Sequence, residues 1–117
     1  MPKPQRLDVS EVGDVTVVHF RDQRIIEDLG IQEMGQELFQ LVEAEGRKKL
    51  VLNFSAVGFM SSAALGKLIT LDKKVKKQGG VLKLCSIRPE IYEVFAITRL
   101  DRLFDIKQDE SDALGSF

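Results

Sequence analysis

The spacing of apolar positions changes several times along the chain, and each change marks an element. Leu7 to Val12 alternates weakly, Val15 to Phe20 is dense in β-branched residues, and Gly13 and Asp14 supply turn chemistry between them, which predicts an antiparallel hairpin. The polar segment Asp22 to Arg24 reads as a loop leading to a short extended pair, Ile25 and Ile26. Ile31, Met34, Leu38, Leu41 and Val42 then recur at three- and four-residue steps, so they share one face of a helix. Glu27 and Asp28 offer it acidic N-terminal caps and Gly46 ends it. Gly30 and Gly35 weaken that helix, and either allow close packing or mark a later start.

Leu50, Val51, Leu52 and Phe54 form an unbroken apolar run, the pattern of a strand buried from both sides, so helices are expected on both faces. Leu65, Leu68, Ile69 and Val75 follow at helical spacing from about Ser62 to Lys77, and Gly79 with Gly80 stops that helix. Val81 to Ile87 is the next strand. Pro89 suits the first turn of a helix running to about Ile97, with Val94, Phe95 and Ile97 inward. Leu103, Phe104 and Ile106 suggest a last short strand, and the tail QDESDALGSF allows one or two helical turns that dock through Ala113, Leu114 and Phe117. The order ββαβαβαβ with a closing helix predicts an α/β fold. Its sheet is mostly parallel or mixed, four- to five-stranded, with an N-terminal hairpin and helices packed against it. Residues 1–117 read as one domain.

Charge removes some functions from the picture. Seventeen basic and 18 acidic side chains nearly cancel, leaving no global pull toward nucleic acid or anionic membrane. No window is apolar enough to span a bilayer, and the start, MPKPQRLD, lacks the apolar core of a signal peptide, so a cytoplasmic protein is expected. Cys85 sits in an apolar strand and reads as a small core residue. His19 has no neighbouring ligand, which leaves no metal site. No nucleophile with a base, carboxylate pair or phosphate-cradling loop is visible, so neither catalysis nor a cofactor is expected.

The candidate chemistry lies in residues 50–66, LVLNFSAVGFMSSAALG, where a buried strand ends in a small-residue turn and a hydroxyl stands at a helix start. A serine there serves as N-cap, accepting from a free N–H of the first turn. The helix dipole also tolerates a phosphate on Ser61 or Ser62, while its charge of about −1.5 to −2 would repel a partner packed on neighbouring apolar side chains. On the plainer reading one serine is only a cap and the small residues let helix and sheet approach. Lys73, Lys74, Lys76 and Lys77 close the same helix, where cations complement the dipole and can steer an acidic partner.

The segment VLNFSAVGFMSSAALGKLITLDKKVKKQGGVLKLCSIRPEIYEVFAITRLDRLFDI resembles the STAS domain, the SpoIIAA-like fold of bacterial anti-sigma factor antagonists. The resemblance rests on the buried strand before a sharp turn, the serine-bearing helix start, the GG before the next strand, the proline opening the third helix, and ITRLDRLFDI. It implies a partner switch: binding to an anti-sigma factor that is itself a GHKL-type serine kinase, release of the sigma factor, and inactivation when that kinase phosphorylates a serine opening the second helix. Where the family reads aspartate, serine, serine or alanine, glycine, leucine, this chain has Ser61, Ser62, Ala63, Ala64 and Leu65, so Ser62 falls on the phosphoacceptor position and Ser61 is the alternative. Met60, Ser61, Ser62 and Ala63 are the implied partner contacts, with Met60 and Ser62 ranked above Phe59 for the surface. Asp22 and Arg24, in FRDQRIIED, are further candidate contacts, although no first-loop motif of the family matches there. Competing expectations are a non-switching scaffold of a stressosome-like assembly, an accessory subunit of a lipid transporter, or a small-ligand sensor. The exposed edge of the first hairpin suits pairing in a homodimer.

Overall fold

A computed structural model describes residues 6–117; the first five residues, which carry most of the start read as leaderless, lie outside it. The hairpin forms as expected from β1 (Leu7–Val12) and β2 (Val15–Phe20), turning at Gly13, whose φ is +63°. The chain continues through β3 (Arg24–Ile25), α1 (Asp28–Glu43), β4 (Lys49–Asn53), β5 (Phe59–Met60), α2 (Ser62–Lys77) and β6 (Val81–Cys85). It ends with α3 (Pro89–Ile97), α4 (Leu100–Leu103), β7 (Asp105–Lys107) and α5 (Glu110–Gly115).

Five strands form one sheet in the order β1-β2-β4-β6-β7, antiparallel only at the hairpin. From β2 onward each connection steps to the next strand on the same side. Right-handed crossovers stepping one way place their helices on one face, and Leu38 of α1, Leu68 of α2 and Phe95 of α3 accordingly share a core with Val18, Leu52 and Leu84. Phe20, Phe54, Phe95 and Phe104 run through this core as a chain of tilted and edge-on rings 4.8, 6.4 and 5.9 Å apart. Each such fully buried side chain contributes about 1.5–3 kcal/mol.

Several expectations need correction. The apolar run of β4 is buried on both sides, yet only α5 covers the second face, closing Val15, Val17, Val51 and Cys85 with Ala113. The extended pair after the first loop is Arg24–Ile25 rather than Ile25 and Ile26, and it forms with β5 a separate two-stranded parallel sheet. Asp28 lies in the first turn of α1, but Glu27, the N-cap, makes no side-chain cap hydrogen bond. The third strand of the parallel set stops at Cys85 because Ser86 turns into the left-handed region at φ +59°. Ile97 points outward, 80 % exposed, because α3 buries Ile91 and Phe95 and Ile97 lies about 200° around the helix from Phe95. Leu103 belongs to α4, a single turn opened by Arg99 at φ +61°, so the last strand starts at Asp105.

Candidate functional site

The site is built where β4 runs out. Phe54 and Val57 are buried and close a turn by the hydrogen bond from Val57 N–H to the Phe54 carbonyl, 2.9 Å. Asn53 stabilises the turn's entry, its Oδ1 accepting from Ser55 N–H at 2.9 Å. The returning chain is then pinned to the loop after β2: the N–H groups of Gly58 and Phe59 donate to the Gln23 carbonyl and that of Ser61 donates to the Ile25 carbonyl. These bonds set β5 beside β3, with Arg24 opposite Phe59 and Ile25 opposite Met60. The start of α2 is thereby fixed to the sheet on one side and to the first loop on the other.

The two serines take different roles. Ser61 is the N-cap in extended conformation, φ −80° and ψ 165°, and its Oγ accepts from Ala64 N–H at 3.3 Å. Ser62 is the first helical residue, exposed, and its hydroxyl makes no hydrogen bond among the described residues. No acidic side chain lies in the first turn of α2, so the positive end of its dipole is uncompensated where Ser62 stands.

Phe59 is 55 % exposed while Met60 is half-buried and packs on the core, which reverses the ranking read from sequence. Ala63 is exposed beside them. Ile26, just after β3, and Leu29, in the first turn of α1, are 42 % and 69 % exposed; sequence reasoning missed both as surface residues. Their signal was legible, because Leu29 falls off the face set by Ile31, Met34 and Leu38, and an apolar side chain off the buried face is surplus to packing. The guanidinium of Arg24 lies 5.0 Å from the Phe59 ring centre, a cation–π contact that holds the ring's orientation. Asp22 pairs with Arg6 at 3.2 Å, and Arg6 also reaches Glu33 of α1. The hydrogen bond from Arg6 to Glu33 is the main reason the guanidinium's pKa is raised.

Nothing in this arrangement supports nucleophilic catalysis. Burial pushes the Cys85 thiol up to about 11, which leaves it protonated and inert at neutral pH. The His19 ring instead meets Glu110 at 2.9 Å, helping to dock α5, and among the described residues no group of three His, Cys, Asp or Glu could hold a metal ion. Among the described residues no helix is long and apolar enough to cross a membrane.

The STAS domain profile matches residues 7–113. The chain belongs to the STAS domain family. This STAS domain is 38% identical over 63 residues to the anti-sigma-B factor antagonist of Bacillus subtilis, a stretch covering 54% of this chain and 58% of that protein. It is 25% identical over 95 residues to BtrV of Bordetella bronchiseptica, an anti-sigma factor antagonist by name, with 81% of each chain covered. It also shares the fold of the Bacillus protein SpoIIAA in its phosphorylated form, with a TM-score of 0.71 and 14% identity over 93% of this chain and 96% of that one. Proteins of the anti-sigma factor antagonist kind are regulators, not enzymes.

Proposed function

We propose that this STAS domain is a cytoplasmic, single-domain anti-sigma factor antagonist that works by partner switching, with Ser62 as the phosphorylated residue. The observation that carries the reading is the division of labour between the serines. Ser61 commits its hydroxyl to capping α2, and Ser62 stands free at the first helical position, three residues after exposed Phe59. An anti-sigma factor of the GHKL serine-kinase type would pack on Phe59, Met60, Ser61, Ser62 and Ala63, with Arg24 at the rim. Modification of Ser62 places about −1.5 to −2 charges inside that contact. The helix dipole tolerates the phosphate in the free protein, but a partner that buries it without a cation loses the complex.

The test is a pull-down from the source cell's lysate with wild-type, Ser62→Ala and Ser62→Asp protein as baits. A GHKL-type kinase recovered with the first two and lost with the third supports the switch. The scaffold reading, in a stressosome-like assembly or beside a lipid transporter, is favoured by Ser61 standing where the family carries aspartate. It requires one and the same partner on all three baits.

A further inference from the structure

Toward the opposite end of α2, about 12–24 Å along its axis from Ser62, the C-terminal ends of α1 and α2 border a groove of about 550 Å³ lined by Glu43, Thr70, Lys73, Lys74, Lys77 and Gln78. The lysines of α2 divide into two kinds. Lys67 donates to Gln32, Lys74 pairs with Glu43 at 3.2 Å and lies over the Phe39 ring, and Lys76 pairs with buried Asp72 at 2.9 Å. Lys73 and Lys77 have no ion pair or hydrogen bond among the described residues. They stand one turn apart on the same side of the helix, a like-charge spacing that weakens a helix. The dipole accounts for Lys77 in the last turn, yet Lys73 lies before that turn.

We propose that this groove is a docking site for an acidic polypeptide segment, with carboxylates of the segment held by Lys73 and Lys77. Charge complementarity selects the occupant. The lining carries three ammonium groups against one carboxylate, and Glu43 is already matched by Lys74, which leaves two positive charges facing the space. A phosphate seated at a helix end draws on the free backbone N–H groups of an N-terminus. This end of α2 is a C-terminus, where the N–H groups of Gln78, Gly79 and Gly80 donate to carbonyls of Val75 and Lys76. Carboxylates on flexible side chains need only the point charges that lysines supply. Thr70, its hydroxyl donating to the Gly66 carbonyl, gives the groove a low floor. The site lies beyond the Ser62 surface, and its test does not depend on the switch.

The isotope-labelled full chain is titrated with hexaglutamate while amide chemical shifts are followed, at low and at physiological ionic strength. Saturable shifts confined to residues 70–78 are expected, weaker at the higher salt. The double variant Lys73→Glu/Lys77→Glu should bind about tenfold less tightly or worse, as expected for losing two exposed ion pairs. Ser62→Asp should bind as wild type does. Lys73→Gln/Lys77→Gln carries the same test should charge reversal perturb the fold. Shifts that are absent, or spread equally over Lys48, Lys49 and Lys107, would overturn the proposal. So would shifts at residues 70–78 produced by inorganic phosphate or phosphatidylglycerol vesicles but not by hexaglutamate.

Discussion

Replacing Ser61 with alanine removes the one side-chain acceptor at the start of α2 and leaves the Ala64 N–H without its partner. Serine N-caps are worth about 0.5–2 kcal/mol; the bond here is long, 3.3 Å, which places the cost of Ser61→Ala in the lower half, about 0.5–1 kcal/mol. For a domain of this size that is a melting-point loss of about 2–6 °C. Ser61→Asp restores an equally good cap and should melt near wild type. At the neighbouring position, Ser62→Ala touches an exposed hydroxyl without a partner and should stay within about 0.5 kcal/mol. Ser62→Asp adds a negative charge to a first turn that has none, and should raise stability by about 0.3–1 kcal/mol at low salt. With no tryptophan and one tyrosine in the chain, urea unfolding is best followed by far-ultraviolet circular dichroism. The order expected is Ser62→Asp at or above wild type, Ser62→Ala equal to it, and Ser61→Ala below. A Ser62→Ala cost equal to that of Ser61→Ala would refute the division of roles, and an unstable Ser62→Asp would remove it as a fair mimic in any binding assay.

Lys83, 6 % exposed, donates to Asp105 at 2.5 Å, so Asp105→Asn should cost about 1–3 kcal/mol in urea titration, whereas Lys83→Met, which removes the charge together with its need, should cost less. The Lys83 hydrogen bond, with help from Lys107, holds the Asp105 carboxyl below the usual carboxylate range. Its contribution is therefore complete above the unfolded value near 4 and fades as pH falls through the depressed folded one; unfolding measured against pH should show that loss in wild type and a smaller one in Lys83→Met, where Lys107 remains. A Cβ on Gly80 would lie 2.5 Å from the Lys48 carbonyl oxygen, but one on Gly66 would meet nothing within 4 Å, so calorimetry should find Gly80→Ala destabilised by about 1–3 kcal/mol and Gly66→Ala stabilised by about 0.5–1 kcal/mol. Cys85 should react with iodoacetamide at pH 8 far more slowly in the native protein than in urea, as followed by mass spectrometry.

The long elements were legible because period and punctuation agreed: Ile31 to Val42 repeated on one helical face, Pro89 opened a helix, and Gly79 with Gly80 closed one. What escaped was short. β3 and β5 are two residues each and exist because Gln23 and Ile25 offer carbonyls to a chain more than thirty residues away, information that no local window holds. α4 is one turn whose Leu103 and Phe104 look like a strand start until Arg99 takes a left-handed conformation. At the site, the place of the hydroxyls was readable, but the choice between cap and free hydroxyl depended on one residue of helix phase. Exposure of Phe59 over Met60 depended in turn on the pairing of β5 with β3.

Because every crossover helix lies on one face, the molecule has a thick side and a thin one. The thin side is closed by the six residues of α5, held by Glu110 through His19 and Asn53 and by the Asp109 side chain at its own start. Its partners come from β2, β4 and β6, so α5 finds a surface to fold on only after those strands have paired. Residues 110–115 should accordingly be the first to exchange their amide hydrogens, opening Val17, Val51 and Cys85 to solvent while the thick side stays folded.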